Sequence, residues 1–135
     1  LGEVRMTMRI AAALLLLSAS FALTGCGDDE AAKASREAAR KYQTWLPNDP
    51  VLADKYKFSC KACHTDPNNA DAPQVGDKVA WSDSLDMART DLMQRVIDGY
   101  EGMPPLGQCT ECSADDLNAL IDFMAEPEKH GRAGE

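Results

Sequence analysis

Two thiols and an imidazole lie within five consecutive residues of this 135-residue chain, Cys60-Lys61-Ala62-Cys63-His64. Two cysteines separated by two residues and followed at once by histidine are the attachment signature of a c-type haem. Each thiol can add to one vinyl group of the porphyrin, and the adjacent imidazole can bind the iron. The motif therefore predicts a covalently held redox centre with His64 as one axial ligand.

The second axial ligand must come from elsewhere in the chain. His130 is the only other histidine, and it lies in a charged segment typical of solvated side chains. Met93 and Met124 occupy apolar helix positions that indicate core packing, whereas Met103 precedes two prolines that stiffen a loop. A rigid loop suits a weak thioether–iron bond, so Met103 is the predicted second ligand. A His/Met pair raises the reduction potential relative to two histidines and fills both axial positions.

A second cysteine pair, Cys109 and Cys112, needs its own interpretation. A four-cysteine zinc site would use both pairs, but 45 residues separate Cys63 from Cys109, against about 15–20 in a zinc ribbon. Such a site would also leave His64 without a role. A local disulfide that holds the Met103 loop against the next helix fits the spacing better, and a redox-active dithiol is the alternative.

Short helices must position these groups. Helices are predicted from residue 50 to about 60, from 90 to 99 and from 113 to 127. Asp49 before a proline marks the first start, and Ser113 with an aspartate three residues later marks the third. We find no strand pattern, and the intervening segments, rich in proline, glycine and asparagine, are predicted loops.

The predicted domain, residues 49–127, is small for a hydrophobic core of its own. A haem is a large apolar body, so three short helices wrapped around it can bury more surface than they could alone. The expected fold class is therefore all-α, with the cofactor inseparable from the fold.

The N-terminal segment resembles a bacterial lipoprotein signal. Arg9 precedes an uncharged run from Ile10 to Gly25, which is shorter than the roughly 20 residues of a membrane span. The run ends in a sequence similar to a lipobox, so residues 1–25 are expected to be removed and Cys26 to carry lipid. Plain cleavage with a free Cys26 thiol is the alternative.

The remaining N-terminal and C-terminal segments carry weaker signals. Met6 or Met8 is the expected initiator. Residues 26–48 are predicted to form a lipidated tether with a helical spacer at 31–45, and residues 128–135 a charged tail. A lipid on the odd cysteine would explain five cysteines in an oxidising compartment.

The formal net charge of −8 limits the partners. Phosphates would repel such a surface, which argues against nucleic acid. Anionic headgroups would repel it as well, so membrane contact should depend on the lipid of Cys26.

Together these motifs resemble the class I cytochromes c, and within them the bacterial cytochrome c₅ group. The likeness covers roughly residues 49–126. It rests on the attachment motif, on APQVGDKVAW at 72–81, on GMPPLG at 102–107 and on CTECSADDL at 109–117. One departure is Leu52, where such cytochromes usually place a glycine at the crossing of the terminal helices.

The resemblance implies three main helices around one covalently bound haem, and a specific set of site residues. These are thioethers at Cys60 and Cys63, axial ligands His64 and Met103, the Pro73 carbonyl behind His64, a Cys109–Cys112 disulfide, and Trp81 near a haem propionate. Plain packing of Trp81 against the haem is weighed equally.

The resemblance implies a monohaem electron carrier without substrate turnover of its own. We expect it on the periplasmic side of a membrane, between a quinol-oxidising complex and a terminal oxidase or reductase. Gly27 after the lipid cysteine weakly favours the outer membrane. The alternatives are a haem enzyme or oxidoreductase subunit with a displaceable sixth ligand, and a zinc or dithiol module. The oligomeric state is left open.

A cluster of lysines suggests how partners could be steered. Four lysines flank the attachment motif in sequence, and we expect them to form a positive rim that attracts acidic partners; they are Lys55, Lys57, Lys61 and Lys78. Scattered solvated lysines are the alternative.

Overall fold

The computed structural model describes residues 27–69 and 71–134. In chain order the elements are α1 (Gly27–Lys41), β1 (Trp45–Pro47), α2 (Pro50–Phe58), α3 (Lys61–His64), α4 (Lys78–Asp86), α5 (Arg89–Asp98), a 3-10 helix (Pro105–Gln108), α6 (Ala114–Ala125), α7 (Pro127–His130) and β2 (Gly131–Ala133). The predicted signal at residues 1–25 and the predicted lipid site at Cys26 lie outside the described residues.

Local capping groups fix where the two core helices α2 and α6 begin. The Asp49 carboxylate accepts a hydrogen bond from the backbone N–H of Leu52 at 2.8 Å and begins α2. Ser113 and Asp116 form a reciprocal capping box at the start of α6. Helix α2 ends at Phe58, earlier than predicted, so the attachment motif forms a separate short turn, α3.

Helix α4 begins inside a segment predicted as loop. The Asp77 carboxylate accepts hydrogen bonds from the backbone N–H groups of Val79 and Ala80, both at 3.1 Å. This N-cap starts the helix despite the proline and glycine upstream. The helix buries Trp81 and so carries one of the site residues.

The core lies between α2, α5 and α6. The Tyr56 and Phe123 rings meet edge to face with centroids 5.0 Å apart. Arg89 on α5 binds Asn118 and Asp122 on α6. Ala53 is buried in α2 while its neighbour Leu52, at the position of the missing glycine, is half-buried, so the small side chain is the one on the inner face.

The C-terminal residues differ from the charged tail that the sequence predicted. Helix α7 leads into β2, which pairs antiparallel with β1. A Cβ on Gly131 would collide with the Phe123 ring, and one on Gly134 would collide with the Thr44 carbonyl. Glycines therefore allow the strand to lie flat on the core. Three-residue strands are too short to show alternating polarity, so no strand pattern is visible in the sequence.

The predicted spacer also packs on the domain. Ala39 and Tyr42, at the end of α1, are buried. The Tyr42 hydroxyl donates to the Glu128 carboxylate at 2.8 Å, and Lys41 forms an ion pair with the same carboxylate at 2.7 Å. Across the two described ranges, no helix is both long enough and apolar enough to cross a membrane.

Candidate functional site

The attachment motif forms one helical turn that brings its three reactive groups together. The backbone N–H groups of Cys63 and His64 both donate to the Cys60 carbonyl, at 3.3 and 3.1 Å. Both thiols are free; that of Cys60 is buried and that of Cys63 is exposed. Burial raises the pKa of the Cys60 thiol.

His64 is held as a neutral imidazole with one nitrogen committed. Its side chain is 6% exposed, and its Nδ1 lies 2.8 Å from the Pro73 carbonyl oxygen. A carbonyl only accepts, so Nδ1 carries the proton and Nε2 keeps its lone pair. Burial lowers the pKa of His64, which favours the neutral form that binds metals. The ring is thus held in one orientation with the Nε2 lone pair unprotonated.

Trp81 supports His64 rather than offering a free donor. The two rings stack with centroids 5.9 Å apart and planes 25° apart. The indole N–H donates to the backbone carbonyl of Gln74 at 3.0 Å. This N–H is therefore already engaged within the protein.

Gln74 is a site residue that the sequence reasoning missed. It is 1% exposed and lies directly after Pro73. Its side chain donates to the backbone carbonyls of Cys63, Asn69 and Ala72. A glutamine in a polar loop gives no sequence signal of burial, so only its tertiary contacts identify it.

The Met103 loop is fixed on both sides by backbone contacts. Tyr100 and Met103 exchange two backbone hydrogen bonds, at 2.9 and 3.1 Å. A Cβ on Gly99 would lie 2.8 Å from the Met103 carbonyl oxygen, and one on Gly107 would lie 3.0 Å from the Met103 methyl carbon. The Met103 side chain is half-buried against the core. The loop therefore has the rigidity that a thioether ligand requires.

Cys109 and Cys112 form a disulfide with Cα atoms 5.3 Å apart. The Cys109 N–H donates to the Leu106 carbonyl in the 3-10 helix, and Cys112 precedes the N-cap of α6. The disulfide therefore connects the Met103 loop to that helix. Within residues 27–69 and 71–134, no three His, Cys, Asp or Glu side chains come together as a metal cluster, so a zinc site does not fit the described cysteines.

The lysines around the attachment motif are not equivalent. Lys55 pairs with Asp116 at 2.6 Å, and Lys57 pairs with Asp54 at 3.0 Å. In the described part of the chain, Lys61 and Lys78 form no ion pair within 4.0 Å. The expected positive rim is therefore partly neutralised.

Comparison with known proteins gives a consistent set of similarities. A family model described as cytochrome c oxidase, cbb3-type, subunit III, matches residues 50–124. The chain is 39% identical over 79 residues to cytochrome c5 of Azotobacter vinelandii, which covers 57% of this chain and 89% of that protein. It is 35% identical over 68 residues to cytochrome c5 of Ectopseudomonas mendocina, covering 49% and 77%. Cytochrome c-555 of Chlorobaculum tepidum is 30% identical over 78 residues, covering 55% and 71%. No solved structure gives a significant match.

Proposed function

The chain belongs to the class I c-type cytochromes, in the c5-like group, and carries a covalently bound haem; from this premise we propose that it is a monohaem electron carrier with His64 and Met103 as axial iron ligands. The similarity to cytochromes c5 and c-555 supports a monohaem electron-transfer cytochrome. The ligand pair is the part that needs a test.

One observation carries the proposal: the Nδ1 of His64 is bonded to the Pro73 carbonyl beside two free thiols, while the other two described cysteines are bonded to each other. This arrangement leaves one nitrogen lone pair and two sulfurs available on the same turn. The residues present thus fit a haem held by Cys60, Cys63 and His64.

When bound, the haem supplies an iron that accepts and releases one electron. The chain supplies fixed geometry. The Pro73 carbonyl holds the His64 ring in one orientation and makes it a stronger donor, and the Met103 loop presents a thioether from a stiff backbone. Ligands that keep their positions between redox states need little rearrangement, which is the property a carrier requires.

The ligand assignment can be tested with the protein as exported. We expect the pigment to stay with the protein in acidic acetone and the ferric protein to show the weak far-red absorption band of a thioether–iron bond. Met103→Ala should abolish that band and allow carbon monoxide to bind the reduced protein rapidly. Met87→Ala is the matched control and should change neither property. A band that persists in Met103→Ala would refute the assignment.

We also propose that the protein is held on the periplasmic side of a membrane by lipid on Cys26. The support is the uncharged run and the lipobox-like sequence that ends at Cys26. Intact-mass measurement of the wild type should show the acyl groups, and Cys26→Ser should release haem protein into the soluble periplasmic fraction. An unacylated mass for the membrane-bound wild type would refute the tether.

For partners, we propose a respiratory position between a quinol-oxidising complex and a terminal oxidase or reductase. Lys61 is one of the lysines expected to attract acidic partner surfaces, and it lies next to the thiols. Within the described residues it forms no ion pair, whereas Lys55 and Lys57 do. Membrane preparations with purified carrier added back should restore electron flow from quinol. No restoration by wild-type carrier would contradict this position.

A further inference from the structure

We propose that Gln74 is a positioning residue for the axial histidine: its side-chain amide fixes the peptide whose carbonyl orients His64, and so sets the reduction potential. This inference rests on the proposed role of His64 as an iron ligand. It concerns a residue outside the attachment motif and outside the Met103 loop.

The side-chain nitrogen of Gln74 serves a cluster of three backbone carbonyls. It lies 2.8 Å from the Ala72 oxygen, 3.0 Å from the Asn69 oxygen and 3.2 Å from the Cys63 oxygen. An amide has two hydrogens, so one of them is shared. These contacts connect the carbonyls of Asn69 and Ala72 directly to the turn that bears the second thiol.

The side-chain oxygen of Gln74 is buried and accepts no hydrogen bond from any described residue. Leaving a buried polar atom unsatisfied is unfavourable. The side chain nevertheless keeps this orientation, because reversing it would place its oxygen against three carbonyl oxygens. Donation by the nitrogen is therefore the interaction that decides how this side chain lies.

The backbone of Gln74 is fixed as firmly as its side chain. Its carbonyl accepts the indole N–H of Trp81 at 3.0 Å, and the next residue, Val75, donates its N–H to the His64 carbonyl at 2.8 Å. The carbonyl of Pro73 belongs to the same peptide unit as the Gln74 nitrogen. Because that unit is planar, fixing Gln74 on both sides also fixes the direction of the carbonyl that accepts from His64.

The direction of the effect follows from histidine chemistry. A good hydrogen bond from Nδ1–H to a carbonyl makes the imidazole a stronger donor and stabilises ferric iron. Loosening the Pro73 carbonyl should weaken this bond and raise the reduction potential. A loop that merely opened to water should do the opposite, since solvent stabilises the more charged ferric state. The sign of the change therefore separates a positioning role from a purely structural one.

The test compares Gln74→Met, which keeps length and loses the donor, with Gln94→Met, an exposed control on α5. We expect Gln74→Met to raise the reduction potential while Gln94→Met leaves it unchanged. In the reduced, diamagnetic protein, NMR should show the His64 ring N–H exchanging about tenfold faster in Gln74→Met, the change expected when about one ordinary hydrogen bond is lost from the closed state. An unchanged or lower potential, or an unchanged ring N–H exchange rate, would overturn the proposal.

If Gln74→Met does not accumulate, Gln74→Asn provides the same comparison, since it keeps the amide but shortens its reach by one methylene. It is expected to change both quantities in the same direction and by less. The wild-type spectrum tests the ligand assignment independently. Loss of the proposed function would appear there, whereas failure of the Gln74 inference would appear only in the difference between variant and wild type.

Discussion

Substituting Gly107 with alanine should weaken the Met103–iron bond that we propose, without altering the ligand itself. Three consecutive residues occupy the left-handed region here, with φ of 58° at Leu106, 55° at Gly107 and 65° at Gln108. An alanine Cβ at position 107 would lie 3.0 Å from the Met103 methyl carbon. The substitution therefore adds backbone strain and pushes against the ligand side chain.

The size of the effect follows from the backbone strain. A non-glycine residue in the left-handed region costs about 1–2 kcal/mol. This strain exists only while the loop keeps the conformation that places the methionine, so opening of the loop relieves it. An external ligand that displaces Met103 should then bind about 5–30 times more tightly.

This displacement is measured by titrating the ferric protein with imidazole and monitoring the loss of the thioether–iron absorption band. Gly102→Ala is the matched control in the same loop, because a Cβ there would meet no atom within 4 Å and its φ is not positive. We expect less than about a twofold change for the control. Equal imidazole affinities for Gly107→Ala, Gly102→Ala and the wild type would refute the account of how the loop holds the ligand.

Three further predictions address stability and partner binding. An ion pair with a lysine lowers the pKa of Asp116 from 3.8 to about 2. The stability that the ionised Asp116 carboxylate contributes is therefore complete above its ordinary pKa and is lost as the pH falls towards 2. Asp116→Asn should flatten this part of the curve of Tm against pH, and the control Asp115→Asn should not. Gly131→Ala should lower the free energy of unfolding by about 1–3 kcal/mol in denaturant titrations, because the added methyl overpacks the core; an unchanged midpoint would contradict the strand contact. Lys61→Ala should reduce the salt dependence of electron transfer to an acidic partner more than Lys57→Ala, whose charge a neighbouring aspartate already neutralises; equal slopes would rule out steering by Lys61.

The sequence predicts those parts of the molecule that depend on neighbours in the chain. The all-α class is confirmed, and the helix starts at Asp49 and Ser113 carry their own capping groups. The hydrogen bond between His64 and Pro73, implied by the resemblance, is present in the structure. Each of these features is encoded within about ten residues.

The features that the sequence did not predict depend on distant contacts. Residues 131–133 form a strand because β1 supplies the pairing partner. Their own composition is typical of a polar tail. The Asp77 cap was hidden in a segment dominated by loop-forming residues. Gln74 looks like any polar loop residue until the carbonyls of Cys63 and its own loop surround it. Whether Trp81 donates to the backbone was likewise a question of geometry that composition cannot answer.

The strand pair that links Trp45 to Ala133 has a consequence for the order of maturation. The entropy of closing a loop grows with its length, and contacts between distant residues form late in folding. In the export that we propose, which starts from the N-terminus, Cys60 and Cys63 would reach the far side of the membrane well before the last strand does. We expect the haem to be attached to the two thiols while the chain is still open, and the final strand to close the domain afterwards.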